Sequence, residues 1–151
     1  MSGAVSFKLT GDAALDAKFA ALPGKMQKQI LRDALRPAAK ILQSEVVRIV
    51  PRRTGLLARS FKVRAGKRTR KDLVRFNVQT RAGDYKGATY YGAFLEYGKL
   101  SGSRKDLAPR KRIVGKHYFK IARAAAEQRV RETAIKLIKE GLERVAGATS
   151  G

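Results

Sequence analysis

Apolar residues recur at spacings of three and four from Met26 onward: Met26, Ile30, Leu31, Ala34, Leu35, Ala38, Ile41, Leu42, Val46 and Ile49. Such a stripe predicts one long helix from about Pro23 to Val50, with Pro23 suited to its first turn. Pro37 lies inside the stripe and predicts a kink or a split, because it has no N–H and its ring crowds the preceding turn. A second stripe, Ile121, Ala125, Val130, Ala134, Ile135, Leu137, Ile138, Leu142 and Val145, predicts another long helix from about Lys120 to Val145. Gly147 to Gly151 is expected to be a flexible tail.

Between the two stripes the period changes to two. Phe61, Val63 and Ala65 alternate with Lys62 and Arg64; Val74, Phe76 and Val78 alternate with Arg75, Asn77 and Gln79. These runs predict an antiparallel hairpin with one apolar and one cationic face, turning at Gly66–Lys71. Near the start of the chain, Val5, Phe7 and Leu9 alternate with Ser6, Lys8 and Thr10, a short strand. Asp12 can then cap a short helix from Ala13 to Ala21. Tyr90 to Gly98 is compact, aromatic and nearly uncharged. Lys99 to Gly115 is basic and lacks apolar periodicity, so a mobile loop is expected over 99–116. Tyr118-Phe119 returns the chain to the core.

The resulting expectation is an α+β fold: a small antiparallel β-sheet packed against two long α-helices, with long basic loops. With 151 residues and no internal repeat the chain reads as a single domain, 1–151, its folded core over 5–146.

Charge sharpens this picture. The formal net charge is +22, and it is unevenly spread. Arg52 to Arg81 holds eleven basic residues against Asp72 alone, and Lys99 to Arg123 holds nine against Asp106 alone, together +18 of the +22. Like charges at this density repel, so a partner of opposite sign is expected: nucleic acid, an acidic protein surface or an acidic pore lining. The candidate docking residues are Lys67, Arg68, Arg70 and Lys71 at the hairpin turn, and Arg104, Lys105, Arg110, Lys111 and Arg112 in the loop. A membrane is disfavoured, since no apolar run is long enough to cross one and the basic segments are not amphipathic helices.

Candidate chemistry is sparse. Cysteine is absent, so neither disulfides nor thiolate metal ligands are available. His117 is the single histidine, too few for a typical zinc site or a serine–histidine arrangement, and reads as a strand or turn residue. Ser60, Thr54 and the tyrosines have no paired base, and Gly83-Asp84-Tyr85-Lys86-Gly87 matches no phosphate-binding loop. No catalytic, metal or cofactor site is expected. Two segments stand out instead. In the first, Pro51-Arg52-Arg53-Thr54-Gly55-Leu56-Leu57-Ala58-Arg59-Ser60-Phe61, Pro51 ends the helix, Gly55 allows positive φ, Thr54 and Ser60 can bond nearby backbone, and Leu57 anchors the turn. In the second, Glu96 stands among Phe94, Tyr97 and Gly98, where an ion pair with Arg52, Arg53 or Arg59 of the same or a neighbouring subunit is the expected use of its charge.

The order of these pieces resembles the head–tail joining or tail-completion family of long-tailed bacteriophages, described as minor tail components. The matching residues are Pro51, Thr54, Gly55, Leu57 and Ser60, then Tyr91, Phe94, Leu95, Glu96, Tyr97 and Gly98; the proline of the family's re-entry is missing from His117-Tyr118-Phe119. The resemblance spans about Phe7 to Val145. It implies a structural virion protein at the head–tail junction, assembled in the host cytoplasm without catalysis. Its implied partners are copies of itself in a ring (a hexamer or dodecamer), the connector or stopper, the tail tube, and the genomic DNA in the lumen. The alternative from charge alone is a nucleic-acid-binding protein without sequence preference, making phosphate contacts only.

Overall fold

A computed structural model describes residues 13–66, 74–83, 86–100 and 112–149. The expected strand at Val5–Thr10 and most of both basic segments lie outside the described residues.

Helix α1 (Ala13–Ala20) is closed at its end by Gln27, whose amide donates to the carbonyls of Phe19 at 3.0 Å and Leu22 at 2.9 Å. Helix α2 (Gly24–Ile49) is continuous through Pro37, so the expected split does not occur. Pro37 and Asp33 both lie on the exposed face, which leaves the Asp33 carbonyl, deprived of its N–H partner, open to water. At the far end Val50 turns extended (φ −58°, ψ 134°), as a residue before proline must.

The chain then forms the one-turn helix α3 (Leu56–Ser60), strand β1 (Phe61–Ala65) and strand β2 (Phe76–Thr80). β1 and β2 pair antiparallel with Phe61 opposite Thr80, Val63 opposite Val78 and Ala65 opposite Phe76, the register that the alternation predicts. After a 3-10 turn at Gly87–Thr89 come helix α4 (Tyr91–Tyr97), strands β3 (Gly98–Leu100) and β4 (Arg112–Val114), and helix α5 (Tyr118–Thr149).

The α+β class therefore holds, with three corrections of detail. The described strands form two separate two-stranded sheets rather than one. The segment expected to be loop from Lys99 begins and ends in strand, Gly98 pairing with Val114 and Leu100 with Arg112. Strands of three residues are too short to show a period. Finally, α5 continues to Thr149, past the expected end at Val145.

The core lies between α2 and α5, which run antiparallel. Ile30 of α2 packs against Gly141 of α5, and Glu45 of α2 meets Arg129 further along. Ala34, Ala38, Ala122, Ala126 and Ala134 are all buried, and such small side chains let the two axes approach closely. The buried ladder on α5 is Tyr118, Ala122, Ala126, Val130, Ala134, Ile138 and Leu142, whereas Ile121 and Ala125 are exposed. Alanine contributes little hydrophobicity, so the ladder is displaced from the one its larger residues suggest.

Glu45 is a buried charge that the sequence pattern conceals, because its neighbours place it beside the apolar stripe. Its side chain is 7 % exposed, and its carboxylate accepts from Arg48 and from Arg129 at 2.8 Å, both guanidinium groups reaching outward to water. Hydrogen bonds from Arg48, then Arg129, hold its carboxyl below the usual carboxylate range against the opposing effect of burial. A carboxylate depressed by folding contributes stability above its unfolded pKa of about 4.3 and loses it as pH falls through the folded value. Urea midpoints of the parent should therefore drop through this acid range. Those of Glu45→Gln should start lower at neutral pH and fall less steeply; parallel curves would show that the pair is not coupled to folding.

Candidate assembly surface

The corner after α2 is built locally. Gly55 adopts φ 71°, a left-handed conformation that a Cβ would disfavour, and its carbonyl accepts from the Arg59 N–H at 3.0 Å to start α3. Ser60 donates from its hydroxyl to the Leu57 carbonyl at 2.7 Å. The Leu56 N–H points to the Thr54 hydroxyl at 3.4 Å. Arg52 donates to the Val47 carbonyl at 3.1 Å, covering the open end of α2, where a cation also suits the helix dipole. Gln43 reaches from α2 to the Phe61 carbonyl at 2.7 Å and sets the direction in which β1 leaves. Pro51, Thr54, Gly55, Leu57 and Ser60 thus shape the backbone, while Arg53 and Arg59 are exposed.

The second segment is held by a backbone clip. Gly98 ends α4 with φ 82° and ψ 176°, a region open essentially to glycine alone. Gly115 lies directly against it, so close that a Cβ on Gly98 would collide with the backbone of Ile113 and Gly115, and one on Gly115 with the backbone at the end of α4, Glu96 to Gly98. The Lys116 N–H donates to the Leu95 carbonyl at 2.6 Å and the His117 N–H to the Glu96 carbonyl at 3.2 Å. His117 takes positive φ (47°) as the turn residue from which α5 departs.

Glu96 completes this clip in an unexpected way. It is 4 % exposed, and its carboxylate accepts from the N–H of Phe119 at 2.8 Å and of Lys120 at 3.3 Å. The Ile121 N–H bonds the His117 carbonyl, which makes Phe119 and Lys120 the second and third residues of α5, whose N–H groups are normally accepted by the side chain of the residue just before the helix. Here the cap comes from another helix. Within the chain, the expected ion pair of Glu96 with Arg52, Arg53 or Arg59 does not form among the described residues. The carboxylate is committed instead to the positive end of the α5 dipole.

The structure nevertheless brings the two segments together, through apolar packing. Phe61, which follows the corner, meets Tyr118 edge-on at 6.3 Å between ring centroids and Phe119 at 6.4 Å. Leu57 belongs to the same buried cluster, with Tyr91 and Leu95 of α4 packed on it. The Tyr118 hydroxyl reaches the Gly92 carbonyl at 3.4 Å.

What the clip leaves outside is a surface poor in charge and rich in apolar area. On α4, Tyr90 (60 % exposed), Phe94 and Tyr97 share a face, with Tyr90 and Phe94 edge-on at 5.9 Å. In the β3–β4 register Ile113 pairs with Lys99 on the side of the hairpin toward Phe94, while Leu100 and Val114 (76 % exposed) lie with Arg112 on its other side, so both sides of the hairpin expose apolar groups. Lys99 lies 5.3 Å from the Phe94 ring centroid, a cation–π contact that ties the hairpin to the helix. The sequence reading pointed to Phe94, Tyr97 and Gly98 but missed Leu100, Ile113, Val114 and Gly115. The signal available was two glycines bracketing Leu100 on one side and the pair Ile113-Val114 on the other. Of the candidate basic docking residues, Arg112 is exposed on β4; Lys67, Arg68, Arg70, Lys71, Arg104, Lys105, Arg110 and Lys111 lie outside the described residues.

Among the described residues no group of His, Asp or Glu is placed to hold a metal ion, and no helix is long and apolar enough to cross a membrane. Neither a curated protein nor a solved structure matches the chain. A family model does: residues 13–98 match the family described as "Bacteriophage HK97-gp10, putative tail-component".

Proposed function

The chain belongs to the HK97-gp10-like family of bacteriophage tail components, and from that premise we propose that it is a structural virion protein that closes into a ring at the head–tail junction. Its role is mechanical. Copies of the chain complete the tail or bridge connector and tail tube around a passage wide enough for DNA, with no reaction catalysed.

The observation that carries this reading is the cluster of exposed aromatic and aliphatic side chains on α4 and on the two sides of the β3–β4 hairpin, where Lys99 and Arg112 are the hairpin's charges. Exposed apolar patches of this kind mark interaction sites. The hairpin has only two strands, so among the described residues both of its edges remain open to strand addition. The occupant we assign is a second copy of the chain. A net charge of +22 opposes contact between copies through the more basic surfaces, whereas the exposed side of α4 is aromatic and its one carboxylate is buried. An adjoining clip of backbone hydrogen bonds holds the face rigid, which reduces the ordering cost of association.

Sedimentation and negative-stain imaging test this. The parent protein is expected to form a discrete ring, alone or with its neighbouring virion proteins. Tyr97→Ser combined with Val114→Ser, both at exposed positions, should shift the population to monomer while leaving the thermal melt of the monomer nearly unchanged. A parent that stays monomeric in every mixture, or a double variant that still assembles, would exclude this face as the ring contact.

A further inference from the structure

The outward face of the β1–β2 ribbon is chemically the opposite of the α4 surface. In the observed register the inward positions are Phe61, Val63, Phe76, Val78 and Thr80, and the alternate positions point away. Those alternate positions are Lys62 and Arg64 on β1, Arg75, Asn77 and Gln79 along β2, and Arg81 just beyond it. All four cations are exposed, and no acidic residue lies among these positions. Two of the cations are held in place. Arg64 donates to the Arg81 carbonyl at 2.8 Å, and the stem of Arg75 lies over Gly66, within about 3.1 Å of where a Cβ would be. Asn77 has its side-chain oxygen enclosed without a hydrogen-bond partner.

We propose that this face is a binding surface for the phosphate backbone of duplex DNA, without sequence preference. Arginine, lysine and side-chain amides are the groups that contact phosphate and sugar, and a flat two-stranded ribbon presents them in rows. Protein-docking faces are centred on aromatic or apolar anchors, and this face has none. Its large apolar residues occupy the opposite face, Phe61 and Val78 buried and Val63 and Phe76 half-buried. No base-reading helix or exposed stacking ring accompanies the face, which limits the contact to the backbone and makes it salt-dependent. The inference goes beyond ring assembly and does not depend on it, since one ribbon binds whether the chain is monomeric or assembled.

The test is fluorescence anisotropy with a labelled mixed-sequence duplex over a salt series, using the full chain. The parent should bind at about 10⁻⁶ to 10⁻⁴ M at physiological salt, with log affinity falling linearly in log salt. The triple variant Lys62→Gln, Arg64→Gln, Arg75→Gln should bind at least about tenfold more weakly at low salt, with a slope shallower by roughly one per lost phosphate contact. The control Arg123→Gln, Arg131→Gln, Lys139→Gln removes the same charge from the exposed face of α5 and should keep the parent slope. Equal losses in both triples would overturn the proposal, because binding would then follow net charge alone. Tighter binding of a polyglutamate probe than of the duplex would also overturn it, in favour of an acidic protein partner. Circular dichroism of each variant, matched to the parent, shows that a lost affinity is not a lost fold.

Discussion

Gly98→Ala is expected to destabilise the protein by about 3 kcal/mol, one of the largest effects of any single methyl group in this chain. Two costs combine. The backbone at φ 82° and ψ 176° is closed to residues with a Cβ, and the added methyl would overlap the Ile113 carbonyl and sit 2.8 Å from the Gly115 nitrogen. Both neighbours are backbone atoms of the paired strand, so relief requires opening the β3–β4 hairpin. For a domain of this size the melting temperature should fall by about 6–12 °C. Gly83→Ala provides the control. It also has positive φ (77°), but nothing lies near its Cβ position, so only the conformational cost of about 1–2 kcal/mol applies. If the two variants melt alike, the close approach of Gly98 and Gly115 does not fasten the hairpin. Gly98→Ala should also lose ring assembly, because the exposed residues of β3 and β4 would no longer be held beside α4.

Glu96→Ala should cost about 2–3 kcal/mol. Removal of the carboxylate leaves the N–H groups of Phe119 and Lys120 without their acceptor at the partly buried start of α5. Glu96→Gln keeps one acceptor oxygen but aims an NH2 group at the other donor, so an intermediate loss is expected. Denaturant titration reads both. The cap and the ion pair suggested by sequence make different predictions for the arginines. If Glu96 served a pair with the corner, Arg53→Gln or Arg59→Gln would carry a comparable penalty. As a cap of α5, it leaves both changes within about 0.5 kcal/mol of the parent, the usual range for exposed positions. A Glu96→Ala protein as stable as the parent would refute the cap outright.

These two positions also show how far the residues alone can be read. Pro51, Gly55, Leu57 and Ser60 act through short-range chemistry, a fixed φ, a permitted positive φ and a bond spanning three residues, and their roles were legible. The β1–β2 register followed from alternation for the same reason, because one shifted residue would turn Phe61 and Val78 out to water. Glu96 was identified as a residue with a special use, but the use was assigned to the wrong partner. A carboxylate among aromatic residues needs compensation, and arginine is the partner that sequence suggests. A pair of backbone N–H groups at a distant helix start leaves no mark in a string of letters. Glu45 was hidden because two cationic partners, one of them 84 positions away, are what make its burial tolerable. The buried ladder of α5 was displaced because its alanines are selected for close approach to α2 rather than for hydrophobicity.

Local chemistry was sufficient for the presence and order of the two long helices, the corner, the first hairpin, the α+β class and the strongly basic character of the chain. Each depends on residues within a few positions of one another or on a sum over the whole chain. The family match over residues 13–98 agrees with what those patterns suggested. Only the folded chain decided that the aromatic segment is a helix, that the residues flanking the basic loop pair as strands, and that Glu96 caps α5. Those features are contacts between Gly98 and Gly115, Leu95 and Lys116, and Glu96 and Phe119, pairs separated by seventeen to twenty-three positions. Their energies come from backbone groups that every residue carries, so the sequence pattern is silent about them until packing places them within reach.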